Sequence, residues 1–217
     1  MPSGYPTVLV CYKGQGIGKE STTMKIWRAV KTNFFSQGFA DNNNPIYREW
    51  GMLGHGGYDW VEYQGNPIYW DMDIRGTVLK VEVDSNGGIG VVVLTQSQEG
   101  NFKHIFWHIL PNPPVSPGDI LETGNVLAYA DSTGKATGSH LHRGMKEVEL
   151  DSFGNWATKN HDNGYFGYLP IEAYFTNEFV LDYLARLKKQ VSLLSQLVEA
   201  LRALIGLQKK LKNIYVP

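Results

Sequence analysis

The sequence predicts a mainly β protein, an antiparallel sheet or sandwich, followed by one long C-terminal amphipathic helix. Two observations predict the sheet. Short apolar runs recur between turn residues across about 25–176, and their spacing leaves no room for crossover helices. A third observation predicts the helix: from Val180 onward, apolar residues recur in alternating steps of four and three. The 24 Gly and 10 Pro suit a chain of many turns.

Taken in order, residues 1–24 read as a leader containing a short apolar strand, Val8–Tyr12, and a Gly-rich loop, Gly14–Lys19. That pair superficially resembles a strand entering a phosphate-binding loop. The pattern needs Gly at position 13 and Ser or Thr at position 20, where Lys13 and Glu20 stand, so nucleotide binding is set aside. Residues 25–176 form the main domain. Within it Thr77–Val83 and Ile89–Thr95 flank Asp84–Gly88, a strong hairpin signal. Phe102–Ile109, Asn125–Tyr129 and Ser139–Met145 are further strand candidates, and the proline-rich stretch Pro111–Gly118 is a loop.

Residues 177–214 are expected to be helical. Leu184, Val191, Val198 and Ile205 take the a positions of a heptad, and Val180, Leu187, Leu194 and Leu201 the d positions. Mostly β-branched residues at a with Leu at d favour a parallel two-stranded coiled coil, hence self-association. Leu197 and Leu204 at g widen the stripe, which suits a higher oligomer or a helix folded back on its own domain. The basic residues Lys188, Lys189, Arg202, Lys209, Lys210 and Lys212 leave contact with an anionic envelope surface open as well.

A net charge of −1 gives no basis for a nucleic-acid partner. The single cysteine, Cys11, excludes an internal disulfide and a cysteine-based metal cage. The N-terminal run Thr7–Tyr12 is too short for a signal peptide and lacks a basic flank. Nothing reads as a continuous apolar span of the length a bilayer needs.

Four of the six histidines form a pattern. His55 and Asp59 stand four apart in a Gly-rich context. His140 and His142 alternate on an extended segment, so both face one side, roughly 6.5–7 Å apart. One metal ligand and one neighbouring acid/base is the easier geometry for that pair. His108 ends an apolar strand. A catalytic zinc uses about three nitrogen or carboxylate ligands with a position left open. His55, Asp59 and one of the His140/His142 pair supply that set, with the other and His108 in support. Singly, each motif is more often surface polarity or a hydrogen-bonded core histidine, and His104 and His161 are assigned no role.

Together the motifs resemble the lysostaphin/LytM group of peptidoglycan endopeptidases. The residues that carry the likeness are His55-Gly-Gly-Tyr-Asp59, Phe106-Trp-His-Ile109, Val115-Ser-Pro-Gly-Asp119 and Thr133-Gly-Lys-Ala-Thr-Gly-Ser-His-Leu-His142. Gln37–Phe39, Tyr47-Arg48 and Gly54 resemble the family's lead-in, and Asn163–Gly167 with Pro170 the closing segment of one branch. The resemblance implies the lysostaphin/LytM catalytic fold and a zinc metalloendopeptidase that cuts peptide cross-links of the bacterial cell wall. It implies one Zn²⁺ on His55, Asp59 and His142, with His108 and His140 as the catalytic pair. A glycyl–glycyl bridge and a D-Ala-containing cross-link both remain open as the bond cut. Three departures are visible: Ser139 where proline is usual, Ile109 for Leu, and Arg143-Gly144 for Phe-Glu. Arg143 is expected to place a cation beside the site. The alternative function is a non-catalytic module that binds wall or activates another hydrolase, although no ligand is missing here. Action at the cell wall without a visible signal peptide suits delivery by phage or release by other means.

Overall fold

A computed structural model describes residues 24–214. The Val8–Tyr12 run, the Gly14–Lys19 loop and Cys11 lie outside them. The chain forms β1 (Ile26–Arg28), β2 (Phe35–Gln37), the short helix α1 (Ile46–Glu49), β3 (Tyr58–Val61), β4 (Pro67–Tyr69) and β5 (Gly76–Val83). There follow β6 (Ile89–Ser97), β7 (Gly100–Trp107), β8 (Ile120–Leu121), β9 (Val126–Tyr129), β10 (His140–Leu150), β11 (Trp156–Thr158), β12 (Phe175–Phe179) and α2 (Val180–Ile214).

The main sheet has eight strands in the order β2-β3-β10-β7-β6-β5-β8, with β11 on the far end of β10. Its pairings are antiparallel, as the alternation and short connections require. The β5–β6 hairpin turns at Asp84–Gly88 as expected: Asp84 Oδ1 accepts from the amides of Asn86 (2.7 Å) and Gly88 (2.8 Å). Two expected strands have different limits. The third ends at Trp107 because His108 adopts a left-handed φ of 63°, and β10 continues to Leu150 because β11 pairs with its second half.

Alternation gives this sheet two unlike faces. One carries Val78, Val91, Val93, Phe102, Phe106, Leu141 and Met145, which bury against Ile68, Trp70 and Leu127 from the β4–β9 layer. That is the core of a sandwich. At roughly 1.5–3 kcal/mol for each large apolar side chain, its burial fixes the register of every central strand. The opposite face is held open to a cleft, and the polar residues of β10, β7 and β5 fall on it.

The sheet's inner face also holds charge. Arg143 is fully buried, with Nε 3.0 Å from Asp71 Oδ2 and Nη2 3.2 Å from Asp71 Oδ1. Nη2 also donates to His104 Nδ1 at 3.0 Å, and His104 Nε2 lies 2.8 Å from Thr95 Oγ1. The expectation of a cation beside the site is therefore overturned. Arg143 is one residue out of phase with His142, so its side chain goes into the core.

The C-terminal helix begins by packing and then departs. Val180 is buried with Phe179 and Trp27, and the Tyr183 ring stacks on Trp27 at 4.2 Å. From residue 185 to 209 every position is exposed. A helix folded back on its own domain is thus excluded for this stretch. By length and composition alone, Val180–Lys209 is apolar enough to cross a membrane, with a mean hydropathy of 1.2 over its best window. Ser, Gln and the Glu199–Arg202 pair interrupt the stretch, so it contains no continuous apolar run of that length.

Candidate metal centre and its cleft

Register assembles the site. β10 lies between β3 and β7, and His142 pairs directly with Asp59 on one side and Trp107 on the other. Cross-strand partners have Cβ atoms about 4.5–5.5 Å apart, so the pairing alone delivers a carboxylate to the His142 ring. His55 enters from the loop before β3, where its amide donates to Asp41 O (2.8 Å) and its carbonyl accepts from Ala40 N (2.8 Å). Close approach is possible because Gly57 has no side chain: a Cβ there would sit 2.6 Å from His142 Cε1.

Three donor atoms converge. His55 Nε2 lies 2.9 Å from His142 Nδ1 and 3.3 Å from Asp59 Oδ1, which is 3.0 Å from His142 Nδ1. Ligand atoms around a tetrahedral zinc with bonds of ~2.0 Å stand ~3.3 Å apart, so the triangle has nearly the size such an ion requires. Its chemistry fits as well. His55 Nδ1 is 3.0 Å from the Gly38 carbonyl, which can only accept, so Nδ1 carries the proton and Nε2 offers a lone pair inward. One proton on His142 Nδ1 could bridge only one of its two neighbours, whereas a cation serves all three. Burial alone would raise the Asp59 carboxyl, but the hydrogen bonds and charges of His142 and His55 outweigh it and hold it ionised, far below the usual carboxylate range.

Two further imidazoles stand beside the triangle. His108 and His140 have ring centroids 4.4 Å apart, and His140 Nε2 is 3.7 Å from Asp59 Oδ2. Each is locked by a backbone carbonyl: His108 Nδ1 lies 2.7 Å from Thr133 O, and His140 Nδ1 2.8 Å from Gly138 O. In the neutral ring each therefore carries its proton on Nδ1 and leaves Nε2 as the acceptor. Burial pushes His108 down to about 4, with the nearby imidazoles adding to the effect. Its left-handed backbone, a strain of ~1–3 kcal/mol, is held by the bond from Asp131 N to its carbonyl (2.8 Å). Thr133, first residue of the long motif, ties this corner together. Its hydroxyl donates to Ile109 O (3.1 Å) and accepts from Ile89 N (3.1 Å). At the departure from the usual proline, the Ser139 hydroxyl is buried with no partner among the described residues.

All five expected residues meet in this one cleft of about 580 Å³. His104 lies on the other face of the sheet, and His161 is exposed against Phe166. Tyr168 was not singled out in the sequence. Its ring meets His142 edge-on at 6.1 Å and rests where a Cβ on Gly144 would intrude. The Asn163–Gly167 turn delivers it, with Asn163 Oδ1 accepting from Tyr165 N and Gly167 N.

Residues 53–153 match the model of Peptidase family M23. An uncharacterized metalloprotease of Haemophilus influenzae is 33% identical over 88 residues, which is 41% of this chain. The chain spans only 18% of the length of that relative. A zinc-containing peptidase from Vibrio cholerae is 24% identical, with a TM-score of 0.45, over 54% of this chain and 35% of the other. The catalytic domain of lysostaphin from Staphylococcus simulans is 21% identical, with a TM-score of 0.42, over 57% of this chain and 86% of the other.

Proposed function

We propose that this chain is a zinc metalloendopeptidase that hydrolyses peptide cross-links of bacterial peptidoglycan, with one Zn²⁺ held by His55, Asp59 and His142. The observation that carries the reading is the 2.9–3.3 Å triangle of inward-facing lone pairs beside two imidazoles of fixed tautomer. Bound there, zinc would act as a Lewis acid, polarising the scissile carbonyl and acidifying the attacking water. The remaining roles fall to the chain itself. His108 and His140 present bare Nε2 atoms to the same side of the cleft. Either can take a proton from the attacking water, and the imidazolium so formed can donate to the leaving amine or to the developing oxyanion. His108 is neutral at pH 7, so it is ready to accept. The Asp59 charge, 3.7 Å from His140 Nε2, stabilises whichever of His108 and His140 becomes protonated.

On this reading the protein works at the bacterial cell wall. The test is mass analysis of peptides released from purified sacculi by zinc-loaded and chelator-stripped protein. New peptide termini are expected only with the zinc-loaded form. Release by the stripped protein would sink the metal assignment, and no release by the loaded protein would sink the peptidase reading.

A further inference from the structure

The cleft extends beyond the metal centre along the outer face of the sheet, and there its character changes. Four residues past His142 on β10, about 13 Å along the strand, stands Lys146. Its direct cross-strand partner on β7 is Lys103. On β5, Lys80 and Glu82 occupy the same face, with Lys80 opposite Val92, which pairs with Ile105 beside Gly144. All four line the same cleft as the histidines.

Two of these lysines are not a solvated fringe. Lys103 Nζ donates to the carbonyl of Trp156 at 2.6 Å, and Lys146 Nζ lies 4.0 Å from the centre of the Tyr168 ring. Both ammonium groups are thus drawn into the cleft wall and away from water. Lys80 pairs with Glu82. Glu82 is the one carboxylate that acts on both Lys103 and Lys146, which leaves an excess of positive charge around the three ammonium groups. Burial, with Lys103 close by, pushes the Lys146 ammonium down to about 8. An anion arriving among these groups would relieve both the repulsion and the lost hydration. Tyr168 connects the two ends, with one part of its ring against His142 and its face under Lys146.

We propose that Lys80, Lys103 and Lys146 form a carboxylate-binding subsite of this cleft, so that the protein selects peptides carrying a free acid a few residues from the scissile bond. This rests on the peptidase reading only for the word scissile; the subsite itself is a binding claim. An uncharged glycine chain would leave it unfilled, so acidic stem peptide is the favoured substrate class.

The probes are two C-terminally amidated stem-type peptides that differ only in whether the D-Glu α-carboxyl is free or amidated. Their binding to zinc-loaded protein is measured by calorimetry and their cleavage by mass analysis. The free acid should bind at least about tenfold more tightly, the scale of a partly desolvated charge pair, and the advantage should shrink with added salt. Lys103→Gln/Lys146→Gln should bring the two peptides to parity with zinc content unchanged. Lys80→Gln, at an exposed position, should narrow the gap and decides the matter if the double variant does not fold. Equal binding of both peptides to the unaltered protein would overturn the subsite, as would a preference undiminished in the variants. Preference without cleavage would instead remove the peptidase reading and leave the subsite standing, and cleavage without preference would do the reverse.

Discussion

The cleft and the C-terminal helix differ in where their partners lie. In the cleft every functional side chain is answered from within the chain: His55 by Gly38, His108 by Thr133, His140 by Gly138, Asp59 by two imidazoles. Along α2, Leu194, Leu197, Leu201 and Ile205 are each half-exposed or more. Three carbonyls and a register define one geometry; a stripe defines only a direction. A region complete in itself points to chemistry, and one left incomplete points to a partner. If that contrast is right, damage to the cleft should abolish function locally, and removal of the helix should leave the cleft untouched.

The largest effect is expected at the metal ligands. His142→Ala removes one of three donors and leaves Asp59 facing a hole. Outer partners of metal sites already cost ~10–100-fold in affinity, so a ligand should cost more. Zinc should be lost on dialysis and wall lysis fall to background. Full zinc with full activity would break the assignment. The next effect is in rate alone. His108→Ala and His140→Ala should slow hydrolysis by ~10²–10⁴-fold while zinc stays bound. If either variant lost zinc in proportion, that residue would belong with the ligands.

Below these comes a stability effect on the hidden face of the same strand. Arg143→Ala strips the buried Asp71 carboxylate of its bidentate partner and His104 Nδ1 of its donor. Breaking a buried pair from one side costs ~3–5 kcal/mol. Chemical denaturation would read it, and a loss under ~1 kcal/mol would show the cluster to be incidental. His104 adds a pH dependence. Burial, then the Arg143 charge, holds its pKa well below 6.5 in the folded state. The unfolded chain therefore binds the extra proton first, so stability should fall as pH drops below ~6.5. Replacing His104 with Gln should flatten that part of the profile.

Residues four apart, two apart and at a strand end were all readable, and so the five site positions could be named before their contacts were known. Side-chain alternation alone separated His140 and His142 from Leu141. What could not be read was which strand pairs with which. The pairing of Lys146 with Lys103 joins positions more than forty residues apart, and no local pattern marks it. Arg143 shows the opposite error. Its neighbour His142 is a candidate ligand, and proximity in sequence suggested proximity in the site, but period-two alternation sends Arg143 to the core. Tyr168 stands just past Asn163–Gly167, a stretch legible only as a family resemblance, and no local pattern marks its ring.

The smallest expected effect on the β domain, and the sharpest test of the contrast, comes from shortening the helix. Val180, Tyr183 and Leu184 pack on the body, and Arg186 pairs with Glu178 at 2.7 Å, so a chain ending at Arg186 keeps these contacts of the helix with its own domain. Residues 187–209 rise ~1.5 Å each, a rod of about 35 Å bearing the a and d seam and the added g leucines. We propose that this rod joins copies of the same chain, because a stripe with a sustained heptad register is what a second identical helix fits. Light scattering should then give a multiple of 24.4 kDa for the full chain and a monomer for the shortened one. Zinc content and peptide release per chain should be equal in the two, and domain stability should differ by no more than ~0.5 kcal/mol. A monomeric full chain at micromolar concentration would end the self-association reading. If that monomer bound vesicles of anionic lipid and the shortened chain did not, the stripe and its flanking lysines would instead serve a membrane surface. A shortened chain that lost zinc or activity would break the comparison itself, since the cleft would then depend on a segment that touches none of it.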